Sequence, residues 1–569
     1  MPSVVITRPI GALDRRVDVL VIGGGITGVS VAREAALRGL DVVMVDRGDF
    51  GAETSAATTK YIHGGIRYLE QYDIAVVRES LRERRILALG APHLVEQTRF
   101  IMPAWRWSRP STPLIGAGVL LYDALSFDRN LNAPDELEIP HPRWLSRRQL
   151  RRAVPWLDDD GLQGGYAYHD TLNIHPERLL LAYAKSAVAA GATLFNHVRV
   201  DSFISSDVDG RLCVEGVNAV DLLTGDHHRI RARVVVNATG PWIDRMLAPL
   251  GRATGVGVDR SKGVHVLTRP LGGAHRVTDA VFARAKSGRH VIVSPWMGKS
   301  FIGPTDTPMS EGDPVEVDVT DVDIILETVN STMNAGEAPL SHDDVELTTV
   351  GVRPLIRTDE QDEGTYSASR RHELYHHVDH GIDNLWSIGG GKWTTARSTA
   401  EEMVDELFAH ELHDVMPRDL DSKRIPAHGT FEWAADATPY LDEVGRRAMS
   451  LGLPASTGRH LARLYGTDVD DILELIENEP RLAARAAPGC ADVLAQAVFA
   501  VTHEGARTVS DVVDRRMVVG TLGPIAVDSL DEITRVIGPL LGWDDATMVE
   551  EVRREHARRT SRETSWRNG

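Results

Sequence analysis

The sequence predicts an α/β fold, in which a parallel-sheet unit is elaborated by antiparallel strands and followed by a helical C-terminal region. Three observations carry this reading. The first is the stretch Val17 to Asp46, VDVLVIGGGITGVSVAREAALRGLDVVMVD, which reads as strand, glycine turn, helix and strand. The second is HPERLLLAYAKSAVAAGATLFNHVRV, where Pro176 near a first turn and Gly191 at the end bracket a helix that feeds a strand from Thr193 to Val200. The third is a change of pattern near Pro426, after which helical segments replace strands.

Taken in order, the N-terminal unit is the most informative. Among Gly23, Gly24, Gly25 and Gly28, one glycine makes the tight turn, one lets the backbone approach a pyrophosphate, and Gly28 lets the helix pack on the strand. The helix N-terminus then offers free N–H groups and the positive end of its dipole to a diphosphate. Asp46, ending the second strand, is set to accept hydrogen bonds from an adenosine ribose and disfavours a 2′-phosphate. The unit reads as dinucleotide-binding, against a purely structural βαβ reading. It does not choose between nicotinamide and flavin.

The 569 residues allow several domains, of which two are expected, and 42% hydrophobic with 25% charged residues is a globular composition. A net charge of −18, from 63 basic and 81 acidic residues, argues against a nucleic-acid binder. Cys213 and Cys490 are the only cysteines, so a disulfide framework or cysteine metal site is not expected and a reducing compartment fits. The opening MPSVVITRPIGALDRR lacks the pattern of a signal peptide, and no apolar run approaches the ~18 to 20 residues of a spanning helix.

After Asp46, the loop containing Thr54, Ser55, Thr58, Thr59 and Lys60 offers many donors at close backbone approach, and His63, Arg67 and Tyr68 crowd cations and an aromatic beside it. Asp73 to Leu89 reads as an amphipathic helix. Arg99 to Leu125 combines Trp105, Arg106, Trp107 and Arg109 with the apolar run Leu114 to Leu121, a composition suited to a membrane interface as well as to core. Arg143 to Leu157 reads as a short helix and Gly161 to Tyr168 as a strand. Turns at Asp209-Gly210 and Thr224-Gly225-Asp226 imply an antiparallel meander ending in ARVVVNATGPWID. From Val258 to Asp383, strands such as VHVLTR, HVIVSPW and SFIGPT accompany one helix near Thr320 to Met333, and Asn384 to Ile388 returns as a strand before a helix from Thr394 to His410. The C-terminal helices are expected at Ser450–Tyr465, Asp468–Glu477, Val493–Thr502, Ser510–Arg516 and Ser529–Ile537. The basic tail from Glu551 reads as a solvated end. His227-His228 and His376-His377 lie in polar runs and are expected to face solvent, and the histidines form no metal spacing such as HExxH.

The blocks IGGGITG, TSAATTKYIHGGIRYLEQ, NATGPWID (Asn237 to Asp244), SKGVHV (Ser261 to Val266), VGVRPL (Val350 to Leu355) and IGGGKWTTAR (Ile388 to Arg397) resemble, in order, the FAD-dependent glycerol-3-phosphate dehydrogenases. The His63 to Leu69 block is the most specific of them. The resemblance implies a two-dinucleotide-binding-domain flavoprotein, with a Rossmann-like FAD domain, an inserted mixed-sheet substrate domain and a C-terminal α-helical cap. Its expected organisation is an extension (1–16), an FAD-dependent oxidoreductase unit (17–425), a helical cap (426–550) and the basic tail (551–569). Within the unit, FAD-binding segments fall at about 17–90, 160–245 and 384–412, and substrate-domain segments at about 91–159 and 246–383.

By the same resemblance, His265 is the candidate base and Arg353 the cation beside the developing alkoxide. Arg67, Tyr68, Arg370 and Lys392 are candidates to bind the substrate phosphate. The FAD set is Gly23, Gly24, Gly25, Thr27, Gly28, Asp46, Arg47, Ser55, Thr58, Lys60, His63, Gly240, Gly390 and Gly391, with Asp46 standing where the family commonly has Glu. The helix after Gly391 would point its N-terminus at the flavin. The implied activity is oxidation of sn-glycerol 3-phosphate to dihydroxyacetone phosphate by hydride transfer from C2 to flavin N5, with electrons passed to a quinone and no metal needed. The alternatives are a glycerol-3-phosphate oxidase using oxygen, a flavin amine or 2-hydroxy-acid oxidase, and a non-catalytic FAD-binding module. The implied setting is cytoplasmic and peripheral to the inner face of the cell membrane, as a homodimer without nucleic-acid partners.

Overall fold

The computed structural model describes residues 3–273, 278–310, 312–357, 371–430 and 437–567. Its first sheet has nine strands built on five parallel ones, in the order Leu385–Gly390, His227–Asn237, Arg16–Ile22, Val42–Val45 and Thr193–Phe195. These strands read as unbroken apolar runs because both faces are covered. Helices Ile26–Leu37, Pro176–Ala189 and Ala396–His410 share one core with Val19, Val21, Val42 and Met44. Ile22 lies beside Asn237 and Val45 in register, so Gly23, Ala238 and Asp46 emerge together at the carboxyl ends of three strands. That edge is where open α/β sheets take ligands. The antiparallel meander is present as Val198–Val208, Arg211–Asp221 and His227–Asn237.

A second, largely antiparallel sheet of ten strands includes Val95–Trp105, Leu162–Asn173, Val258–Thr268, His290–Trp296, Lys299–Gly303 and Val345–Ile356. Its apolar face, with Val264, Val266 and Ile302, packs on helix Val319–Asn330. Because side chains alternate along a strand, the opposite face carries Ser261, Gly263, His265 and Leu267, paired in register with Arg353, Gly351, Thr349 and Leu347. The C-terminal region is helical and has its own core around Leu461, Ile472, Phe499, Val512 and Ile533.

Several expectations are corrected. Leu162–Asn173, assigned from sequence to an FAD-binding segment, belongs to the second sheet, paired along its length with Val95–Trp105. Residues 143–157 open as a strand, Arg143–Ser146, before helix Arg147–Ala153, because Ser146 and Gln149 form a capping box that starts the helix there. Gly452 and Pro454 delay the start of the expected helix 450–465 to Ala455, and a separate helix, Thr438–Ser450, precedes it. His228 and His377 are buried: strand alternation turns His228 inward beside exposed His227, and His377 hydrogen-bonds Ser387 at 2.8 Å.

The tail is not a solvated end. It forms helix Asp545–Thr564, in which Arg559 donates to the carbonyls of Gly520 and Gly523 at 2.9 Å and to Asp514, and Trp566 is buried in the core of the second sheet. Specific carbonyl and carboxylate partners hold guanidinium groups that a charge count assigns to water.

Candidate active site

The glycine turn is a close-fitted cradle. A Cβ on Gly28 would lie 1.8 Å from the Gly23 carbonyl oxygen, so only glycine lets the helix start this near the strand. Gly23 itself has φ +108°, and a Cβ there would meet the Ala238 carbonyl oxygen at 2.6 Å. Gly25 is the N-cap of helix Ile26–Leu37 and has no side chain of its own to cap it. Thr27 stands in that first turn, and the Ile26 N–H donates to Ser55 Oγ at 2.9 Å. Asp46 accepts from Gly24 N–H at 2.5 Å and from Gly48 N–H at 2.7 Å. Burial pushes its carboxyl up, and the two amides pull the other way. A helix start whose N-cap is glycine, a carboxylate at the next strand end and space only glycine leaves together fit a dinucleotide such as FAD.

Around this cradle, Thr58 Oγ1 accepts from the Lys60 N–H at 3.1 Å. Arg47 pairs with Glu53 and lies 5.9 Å from the Trp242 ring centroid. Gly240 (φ +58°) follows one of the parallel strands, and Gly390 (φ +65°) and Gly391 (φ +82°) turn the chain at the end of another. Lys60 departs from its expected role. Its ammonium is buried 3.8 Å from Glu177 and 4.6 Å from the Trp296 ring centroid, so its partners belong to other segments than the glycine turn. Burial lowers the proton affinity of this ammonium, and the Glu177 carboxylate pulls the other way.

His265 lies 3% exposed on Val258–Thr268, stacked on Phe301 at 4.8 Å, and neither ring nitrogen has a hydrogen-bond partner among the described residues. Burial, with Arg353 and Lys60 nearby, holds its imidazole down to about 3, so the ring is neutral at pH 7 and one of its nitrogens carries a lone pair. Arg353, across the strand pair, donates to Asp306 Oδ1 at 2.9 Å and to the Thr305 carbonyl at 2.9 Å.

Arg67, Tyr68 and Lys392 come together as a second group. The Arg67 guanidinium and the Lys392 ammonium sit 5.1 Å and 4.8 Å from the Tyr68 ring centroid. Lys392 also donates to Ser80 Oγ, and burial lowers its pKa. His63 is held down to about 3 by burial and by the charges of Arg67, Lys392 and Arg84. Arg370 lies outside the described residues; its neighbour Arg371 pairs with Asp73 at 2.9 Å.

Loop residues 54–63 run between the two groups. Thr54 donates to the Val352 carbonyl at 2.8 Å, and Gly351 abuts Ala57 so closely that a Cβ would meet its methyl at 2.6 Å. Towards the Lys392 turn, Trp393 donates to the Ser55 carbonyl at 3.3 Å. Ile356, three residues past Arg353, packs on Gly389 and Gly390, just before Lys392. The sequence reading missed Asp306 and Ser80: one follows a strand in an unremarkable GPTD segment, the other lies inside an amphipathic helix, and neither carries a local signal.

One trio among the described residues, Asp49, His197 and Asp511, has ligand atoms close enough for a metal ion. Its carboxylates are already engaged: Asp49 accepts from Arg515 and Arg516, and Asp511 accepts from Arg515 at 2.7 Å. Two guanidinium groups occupy the charge that a cation would need.

Residues 18–406 match the family model described as FAD dependent oxidoreductase, and residues 388–548 match that described as C-terminal domain of alpha-glycerophosphate oxidase. Fold and site therefore define an FAD-dependent oxidoreductase. A glycerol-3-phosphate dehydrogenase of Synechocystis sp. is 34% identical over 551 residues, covering 95% of each chain, and one of Mycobacterium leprae is 34% identical over 95% of this chain and 88% of its own. The X-ray structure of the glycerol-3-phosphate dehydrogenase from Bacillus halodurans complexed with FAD matches with a TM-score of 0.76 at 29% identity, covering 98% of this chain and 96% of that one. The chain belongs to the glycerol-3-phosphate dehydrogenase family.

Proposed function

We propose that this chain oxidises sn-glycerol 3-phosphate to dihydroxyacetone phosphate and that the electrons leave to a quinone. FAD, when bound, supplies the acceptor for the C2 hydride at N5. The residues that would hold it are the glycine turn, Thr27, Asp46, Ser55, Thr58 and the turns at Gly240 and Gly390-Gly391. His265 takes the C2 hydroxyl proton on a ring nitrogen, and Arg353 lowers the cost of the developing alkoxide beside it. Arg67 and Lys392 grip the phosphate across Tyr68.

The observation that carries this reading is a neutral, buried imidazole with unpartnered ring nitrogens, sharing a sheet face with a guanidinium. The test is to add glycerol 3-phosphate to the FAD-loaded protein under nitrogen. The yellow absorbance bleaches and returns faster with a quinone analogue than with air; no bleaching ends the reading. The match to the alpha-glycerophosphate oxidase C-terminal model keeps oxygen as a second acceptor, and hydrogen peroxide formed in step with product would decide for it.

Contact with the inner face of the cell membrane belongs to the same proposal. No described helix is long and apolar enough to cross a membrane. Helix Thr112–Leu125 buries Gly116, Val119 and Tyr122 and leaves Leu114, Leu120 and Leu121 exposed, with Arg106 and Arg109 exposed just before it. Exposed leucines beside arginines suit a lipid surface from which a quinone arrives.

A further inference from the structure

The segment Gly303 to Asp306, GPTD, touches both members of the proposed catalytic pair. A Cβ on Gly303 would lie 2.6 Å from His265 Cδ2, so this glycine leaves room for the imidazole. Thr305 is clasped to the strand beside it: its N–H donates to the Val264 carbonyl at 3.0 Å, and its Oγ1 accepts from the Val264 N–H at 2.9 Å. Thus fixed, Thr305 presents its carbonyl to Arg353 Nη2 at 2.9 Å. Asp306 follows, its Oδ1 accepting from Arg353 Nη1 at 2.9 Å and from the Ser261 hydroxyl. Nη1 also reaches Ser261 Oγ at 3.3 Å and the Lys262 carbonyl at 3.4 Å.

We propose that Asp306 is a positioning residue for the oxidation: it fixes the Arg353 guanidinium at the site and balances its charge beside His265. The assignment rests on the function proposed above for His265 and Arg353. A guanidinium held through both terminal nitrogens keeps one orientation, whereas a free arginine samples many rotamers. Fixed charges stabilise a developing alkoxide without reorganising, and misplacement by about 1 Å costs roughly 100-fold in rate. An unbalanced cation next to His265 also opposes protonation of the imidazole, the direction in which Arg353 already acts on it.

The test compares full-length, FAD-loaded wild type with Asp306→Ala, Asp306→Asn and Asp306→Glu. Two readouts are taken: the anaerobic bleaching rate with glycerol 3-phosphate, and the rate at which phenylglyoxal labels Arg353, followed by peptide mass mapping. Asp306→Ala bleaches about 100-fold slower, binds dihydroxyacetone phosphate within about threefold of wild type by flavin difference spectrum, and labels at Arg353 at least ~5-fold faster because the guanidinium is released. Asp306→Asn keeps an oxygen acceptor and lies between the two, and added formate restores part of the Asp306→Ala rate. Equal Arg353 labelling in wild type and Asp306→Ala overturns the proposal, as does product affinity falling in parallel with the bleaching rate. Wild type that fails to bleach while labelling still differs overturns only the assigned reaction, and leaves Asp306 as the residue that holds Arg353.

Discussion

The Arg353 side chain lies over Gly263 on the facing strand, and a Cβ at Gly263 would come within 2.3 Å of Nη2 and 2.7 Å of Cζ. The obstacle is the end of a long side chain and not backbone. Gly263→Ala is therefore expected to fold and displace the guanidinium. Its bleaching rate with glycerol 3-phosphate should fall to within about threefold of that of Arg353→Ala, itself lower than wild type by roughly 10² to 10³. The melting temperature should move by only a few degrees. A Gly263→Ala enzyme of normal turnover would remove Arg353 from the site.

Arg67 and Lys392 flank one ring, Tyr68, and burial already lowers the proton affinity of the Lys392 ammonium. An arriving phosphate relieves both repulsion and desolvation, so these groups act in binding more than in the chemical step. Arg67→Ala and Lys392→Ala should each raise KM for glycerol 3-phosphate by at least ~10-fold, about 1.4 kcal/mol, with kcat within about fivefold. Steady-state kinetics of the single and double variants check this, and an unchanged KM in both singles refutes it.

Legibility followed the range of the forces involved. Val17–Asp46 could be read because its glycine spacing and apolar runs are set within one local unit, and the parallel sheet follows from them. Gly263 could not, since its reason is a side chain ninety residues further on. Lys60 sits among hydroxyl residues that suggest a phosphate loop, yet its partners, Glu177 and Trp296, are more than a hundred residues away. The tail failed in the same way, because Asp514 and the carbonyls of Gly520 and Gly523 are what bind Arg559. Composition reports charge, while only the fold reports whether a charge has a partner.

Among the histidines buried as neutral rings, His93, His175 and His265 link stability to pH. They are held at about 3, 4 and 3, chiefly by burial. Each folded value is below the ~6.5 of an unfolded histidine. Their contribution is therefore complete above pH 6.5 and is lost as pH falls towards the folded values, at up to about 1.4 kcal/mol per unit each. The urea midpoint should drop clearly between pH 7.5 and 5.5, above the carboxylate range, and His93→Gln should flatten the slope. A midpoint constant over that interval contradicts the assignment.

Leu120 and Leu121 are 63% and 43% exposed on helix Thr112–Leu125, so a charge at either meets water and not core. Leu120→Glu with Leu121→Glu should leave melting within a few degrees of wild type while removing apolar area worth about 25 cal/mol per Å² of lipid contact. Flotation with anionic vesicles should show binding reduced by at least ~10-fold. Equal flotation of a folded double variant makes this face an ordinary surface.

The final helix covers the strand that carries Arg353. Val345–Ile356 pairs with Val258–Thr268, and among the described residues its other edge has no strand partner. Arg562 Nε donates to the Thr348 carbonyl at 3.1 Å and Arg567 to the Val345 carbonyl at 3.2 Å, while Thr54 takes Val352 from the loop side. An edge strand left with free carbonyls opens more readily. Arg562→Ala should therefore raise amide exchange in peptides spanning Val345–Ile356, leave Val42–Val45 unchanged, and slow bleaching several-fold with FAD retained. Truncation after Thr560 also removes Trp566 from the core, at about 3 to 5 kcal/mol, and should lower the melting temperature by several degrees. Exchange that rises equally in both strands would mean that the helix supports the whole fold and not the Arg353 strand.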